Sequence, residues 1–119
     1  MEIDVEIHGD AIVVAVNGRI DHLNAAKFHD ALTPHLANCS ADGTAVILDL
    51  SGLDYISSAG LRIFMIAAKQ VRPRGGRLAV AAMQPLVLEI FEISHFHLVY
   101  EIFTSTDDAL TALSTATAA

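Results

Sequence analysis

Only one of the 119 residues is a cysteine, Cys39, so no internal disulfide can staple the chain. The thiol is read as a small, partly buried hydrophobe. Basic residues are scarce as well: seven Lys and Arg stand against fourteen Asp and Glu, a formal net charge of −7 with histidine neutral. That balance argues against nucleic-acid binding, which needs cationic side chains to displace counterions from phosphates. It equally disfavours docking on an anionic membrane surface. No apolar run approaches the roughly 20 residues of a membrane span, so direct membrane insertion is not expected. The opening MEIDVEIHGD has no basic segment leading into an apolar core, hence no secretory signal is read and a cytoplasmic domain is expected.

Signatures of catalysis are missing too. Ser57-Ser58-Ala59-Gly60 lacks the first glycine of a G-x-S-x-G nucleophile elbow. Gly75-Gly76 lacks the lysine and hydroxyl of a P-loop and reads as a turn. Asp49 ends an apolar strand as an aspartyl phosphoacceptor would, yet no acidic pair for magnesium follows the first strand, so it is read as structural. His95-Phe96-His97 could set two imidazoles on one strand face, but no third ligand is evident. No enzyme, no cofactor and no metal site are expected.

What the chain does have is apolar content, 53%, enough for one well-buried core in a single domain. Residues 2–8 alternate polar and apolar, Gly9-Asp10 is a hairpin dipeptide, and AIVVAV (11–16) reads as a second strand with Asn17-Gly18 as a turn or strand end. Asn24 is placed to cap a helix with Phe28, Leu32 and Leu36 as its apolar stripe, which Pro34 should kink or interrupt near Thr33. TAVILDLSG is a β-branched run typical of a buried central strand. A helix is predicted from about Ser58 to Arg72, stopped by Pro73 and Gly75-Gly76, then a buried strand over 77–83 and a helix opened by Gln84-Pro85. Residues 97–103 alternate and suggest a last strand. Asp107 and Asp108 suit the start of a final helix that uses Leu110 and Leu113, with a frayed tail at 114–119. Two strands followed by helix–strand units predict an α/β fold: a mixed β-sheet with helices packed against it, spanning residues 1–113.

Within that order, LDYISSAGLR (53–62) puts two adjacent serines between a strand and a helix. One reading is plain helix capping. The other is a chemical switch, because a helix N-terminus offers free N–H groups and a favourable dipole to an anion. A phosphate at Ser58 would carry close to two negative charges without breaking its own helix, and Arg62 lies one turn on.

Three segments, GRIDHLNAAKF (18–28), VILDLSGLDYISSAGLRIF (46–64) and GGRLAVAAMQPLVLEIFEISHF (75–96), resemble a STAS domain. This is the fold of bacterial anti-sigma factor antagonists, found also as a cytoplasmic module on sulphate transporters. In that family the loop typically reads Asp-Ser-Ser-Gly-Leu and its first serine is phosphorylated. Anchoring on Gly60-Leu61 makes Ser58 the implied acceptor, with Ser57 as its rival. Ser57 then stands where the family often has aspartate, and Ala59 where it often has the second serine. Asp21, in GRID, matches an acidic position near the switch loop, although a cap or turn carboxylate near the following helix is the stronger reading of it. The resemblance implies a protein-binding domain that sequesters an anti-sigma factor serine kinase and is reset by a serine phosphatase. A constitutive STAS scaffold, such as an accessory subunit of a membrane transporter or a signalling assembly, is the alternative, and a small-molecule carrier with a pocket beneath the Ser58 loop is a third.

Helical phase adds one independent observation. Leu61, Phe64, Ala67, Ala68 and Val71 fall on one side of the helix after Ser58, and Arg62, Lys69 and Gln70 on the other, with Ile63 on a flank. Met65 and Ile66 lie among the polar residues and are expected to be exposed. Such a patch marks a partner-binding surface, unless a neighbouring loop or a second copy in a homodimer covers it.

Overall fold

The structure is a computed structural model and describes residues 1–113; the tail read at 114–119 lies outside the described residues. Its elements are β1 (Glu2–His8), β2 (Ala11–Ile20), α1 (Ala25–Leu36), β3 (Ala45–Asp49), β4 (Leu53–Ile56), α2 (Ser58–Val71), β5 (Leu78–Ala81), α3 (Pro85–Ile93), β6 (Glu101–Phe103) and α4 (Thr106–Leu113). The sheet runs β1-β2-β3-β5-β6, with β4 pairing β2 beside this path. Only β1 is antiparallel, joined to β2 through Gly9 at a positive φ of 63°. Every other pairing is parallel; helices α1, α2 and α3 lie in the long connections, and only three residues separate β3 from β4.

The strands' alternation produces two cores. Val14, Val16, Val46, Leu48 and Val80 face α1, α2 and α3, while Ala11, Val13, Ala45, Ile47, Ala79 and Ala81 face α4. The second face is dominated by alanine, which lets a helix of eight residues lie close to it. On the first face Phe64 of α2 sits at the centre of an aromatic cluster. Its ring lies 5.4 Å from Phe28, 5.4 Å from Phe91 and 5.8 Å from Tyr100. Tyr100 also donates its hydroxyl to the Phe64 carbonyl at 2.6 Å, and burial pushes the phenol well above its ordinary pKa. Aromatic pairs of this kind contribute about 0.5–1.5 kcal/mol each beyond their area. They hold α2, and hence its first turn, rigidly against the sheet.

Four local expectations are corrected. β2 does not end at Asn17-Gly18 but continues to Ile20, because Gly18, at φ 94°, absorbs a register shift instead of a turn. Pro34 does not interrupt α1, which runs through to Leu36; the proline sits in the last turn, where little helix remains to disrupt. Asn24 occupies the cap position without bonding the first turn; its Oδ1 instead accepts from the Asp21 N–H at 2.9 Å. The last strand is not 97–103 but Glu101–Phe103. Phe96 and Tyr100 are both buried, a spacing of four that suits a helical turn, and Phe96–Leu98 form a 3₁₀ segment. His95 and His97 are therefore not on a strand face.

No helix among the described residues is long and apolar enough to cross a membrane.

Candidate functional site

The serine pair lies where β4 meets α2. β4 is a short strand of its own whose residues Tyr55 and Ile56 pair with Arg19 and Ile20 of β2. The Ser57 N–H extends that ladder to the Ile20 carbonyl at 2.9 Å. Ser57 then adopts extended backbone and caps α2, its Oγ accepting the Gly60 N–H at 3.2 Å and its carbonyl the Leu61 N–H at 2.9 Å. Ser58 is the first helical residue and is exposed. The two hydroxyls therefore have different tasks: the half-buried one closes the helix end, and the exposed one is free to react.

Glycine at position 60 is required by packing. A Cβ there would lie 2.7 Å from Ile20 Cγ2 and 2.9 Å from Ile56 Cγ1, closer than real Cβ contacts. The first turn of α2 thus rests directly on β2 and β4. Among the described residues, cavities of about 150–240 Å³ lie elsewhere, two beside Arg77 and a more apolar one around Leu88 and Phe103.

The first turn of α2 contains no acidic residue. The N–H groups of Ser58 and Ala59 have no carbonyl a turn earlier to receive them, so the end is electropositive, with no carboxylate in the turn itself to offset it. Arg62, exposed and one turn on, adds a full positive charge. An anion attached at Ser58 meets favourable dipoles and a cation. An aspartate at the cap would have repelled it.

Asp21 follows Ile20 and so comes to the same end of the sheet as Ser57. Its Oδ1 accepts from the Leu23 and Asn24 N–H groups at 3.0 and 3.1 Å, and its Oδ2 lies 3.4 Å from Arg19 Nε. It is a turn carboxylate first. Arg19 in turn lies over the Tyr55 ring, 5.1 Å from its centroid. Sequence reasoning missed this Arg19–Tyr55 pair, because it depends on the register of a β2 extension that the Asn17-Gly18 dipeptide concealed.

The apolar patch is smaller than expected. Ile66 is exposed, at 39%, but Met65 is half-buried against the main core. Ile63 is buried, and Leu61 is only partly so. The core stripe is thus rotated slightly from the phase read in the sequence, so that it takes in Ile63 fully and Met65 in part. Among the described residues no group of three His, Cys, Asp or Glu side chains is gathered to hold a metal.

Comparison with known proteins agrees with this geometry. The family model described as the STAS domain matches residues 2–109. BtrV of Bordetella bronchiseptica, named as an anti-sigma factor antagonist, is 36% identical over 105 residues, covering 88% of each chain. The anti-sigma-B factor antagonist of Listeria monocytogenes is 30% identical over 105 residues, 86% of this chain and 90% of the relative. A crystal structure of an anti-sigma factor antagonist from Mycobacterium paratuberculosis superposes with a TM-score of 0.84 at 26% identity, over 95% of this chain and 93% of that one. The chain belongs to the STAS domain family, among its anti-sigma factor antagonists. These are binding proteins and not enzymes.

Proposed function

We propose that this chain binds an anti-sigma factor in the cytoplasm and that phosphorylation of Ser58 ends the binding. The observation that carries this reading is the division of labour between the two serines. Ser57's hydroxyl is spent on the Gly60 N–H, whereas Ser58's is exposed at the open end of a helix. The unphosphorylated surface holds an anti-sigma factor that is also a serine kinase, which frees a sigma factor for transcription. The kinase transfers the γ-phosphoryl group of ATP to Ser58 Oγ, releasing ADP and a proton. A serine phosphatase hydrolyses the ester and restores the hydroxyl. The added charge stays compatible with α2 while altering the partner's view of a surface already strongly negative overall.

The test is intact-mass measurement after incubation with the cognate kinase and ATP. Wild type gains one phosphate and Ser58→Ala gains none, with its fold preserved. One phosphate on Ser58→Ala would move the acceptor to Ser57 or elsewhere. Ser58→Asp, which imitates part of the charge, weakens partner binding in calorimetry; equal affinities would overturn the electrostatic account of release.

A further inference from the structure

The edge of the sheet formed by β1 has a pattern that the Ser58 site does not use. β1 pairs with β2 on one side only, so among the described residues the N–H and C=O groups of its alternate positions face outward. It is long for an edge, seven residues, against three for β6 at the opposite edge. Nearly all of it is exposed. One row of side chains is Glu2, Asp4 and Glu6, ending in His8, whose Nε2 lies 3.5 Å from Glu6. The other row is Ile3, Val5 and Ile7, with Val5 41% and Ile7 77% exposed. β1 contains no lysine, proline or bulge of the kind that commonly blunts an edge.

The acidic row disfavours a second copy of this strand in the registers that overlap most of it. Antiparallel self-pairing centred on Asp4 sets Asp4 against Asp4 and Glu2 against Glu6. Centred on Val5 it sets Asp4 against Glu6, and centred on Glu6 it sets Glu6 against Glu6. In-register parallel pairing opposes every carboxylate with its own copy. Like charges directly opposite each other destabilise a ladder. Blocking self-association would need only these charges. The apolar row alongside them, anchored on the core at Ile3 but uncovered at Val5 and Ile7, goes beyond that need.

We infer that the β1 edge is a docking site for an extended segment of another protein in which Lys or Arg alternates with β-branched apolar residues. Main-chain bonds to β1 supply the pairing. The partner's cations lie against Glu2, Asp4 and Glu6, and its apolar side chains extend the row of Ile3, Val5 and Ile7. The surface lies on an edge strand away from α2, so its occupancy is independent of phosphate at Ser58.

The probe is a synthetic heptapeptide alternating Lys and Val, titrated against the whole protein by fluorescence anisotropy. Binding is expected, weakening at least about tenfold as ionic strength rises from about 0.05 to about 0.5 M. Amide hydrogen exchange should slow at alternate residues of β1. The same peptide N-methylated at alternate positions should not bind, since it keeps its charge but loses one edge of donors. Combining Glu2→Lys, Asp4→Lys and Glu6→Lys should reverse the preference toward a Glu/Val heptapeptide; Ile7→Ser, at the most exposed position, should weaken binding in a fold left intact. Equal binding of the N-methylated peptide, exchange protection elsewhere, or no binding of the Lys/Val peptide would each overturn the proposal. Self-association through β1 in sedimentation would do so as well.

Discussion

α2 ends in two opposite ways. At its first turn the N–H groups of Ser58 and Ala59 are open, and the nearest charged side chain along the helix, Arg62, is exposed. At its last turn several carbonyls are taken up. Arg74 donates to the Gln70 carbonyl at 3.3 Å and to the Leu36 and Ala37 carbonyls at 2.7 and 3.0 Å, closing the ends of α2 and α1 with one guanidinium. The Gly76 N–H takes the Val71 carbonyl, and the Cys39 thiol donates to the Arg77 carbonyl at 3.3 Å. Burial raises the Cys39 pKa and leaves a protonated, unreactive thiol. Helix-end polar groups that are satisfied add to stability; those left unsatisfied keep their capacity to bond an outside group.

The contrast can be broken by substitution, starting with the change expected to cost most. Gly60→Ala drives a methyl into Ile20 and Ile56, and destabilisation of about 2 kcal/mol is expected in denaturant unfolding. A neutral result would mean that the first turn of α2 is not seated on β2 and β4. Arg74→Ala removes charged donors from three carbonyls and is expected to cost about 1.5 kcal/mol. Its rate of phosphorylation should match wild type, because the closed end takes no part in the switch. Ser57→Ala removes only the cap, about 1 kcal/mol. This variant should still accept one phosphate, and loss of phosphorylation in a folded protein would give Ser57 the reactive role. Ile66→Asp should shift stability by less than about 0.5 kcal/mol, being a surface change, yet weaken partner binding about tenfold. A collapsed melting temperature would place Ile66 in the core, and unchanged binding would move the partner to another face.

The repeating part of the fold was legible because each signal there is local. Valine and isoleucine runs marked β2 and β3, the apolar run Leu78–Ala81 marked β5, and proline or serine at helix starts marked α2 and α3. The departures come from groups whose role depends on distant neighbours. Gly18 reads as a turn until Leu53 pairs with it and makes it a bulge. The alternation at 97–103 reads as a strand until Tyr100 is seen to bond Phe64, which curls the preceding residues into a 3₁₀ turn. Met65 reads as exposed on helical phase alone, and only the third dimension brings core atoms up to it. At the site, the position of Ser58 was visible in sequence. That Ser57 alone caps was not, since both serines are chemically suited to it.

The bulge at Gly18 and Arg19 also divides one strand between two ladders. Residues Ala11–Ala15 of β2 pair with β3, and Gly18–Ile20 pair with β4. Breaking the second ladder severs only three residue pairs and leaves the first in register. The strand beneath Ser58 thus has a shorter ladder than the central sheet, while its Leu53 and Ile56 side chains stay in the main core, and its backbone is expected to be the less protected of the two. In native-state hydrogen exchange, the amides of Ile56 and Ser57 should report a lower opening free energy than those of Ile47 and Leu48. A kinase that must draw Ser58 into its own active site would then meet fewer backbone bonds there than anywhere along the central ladder.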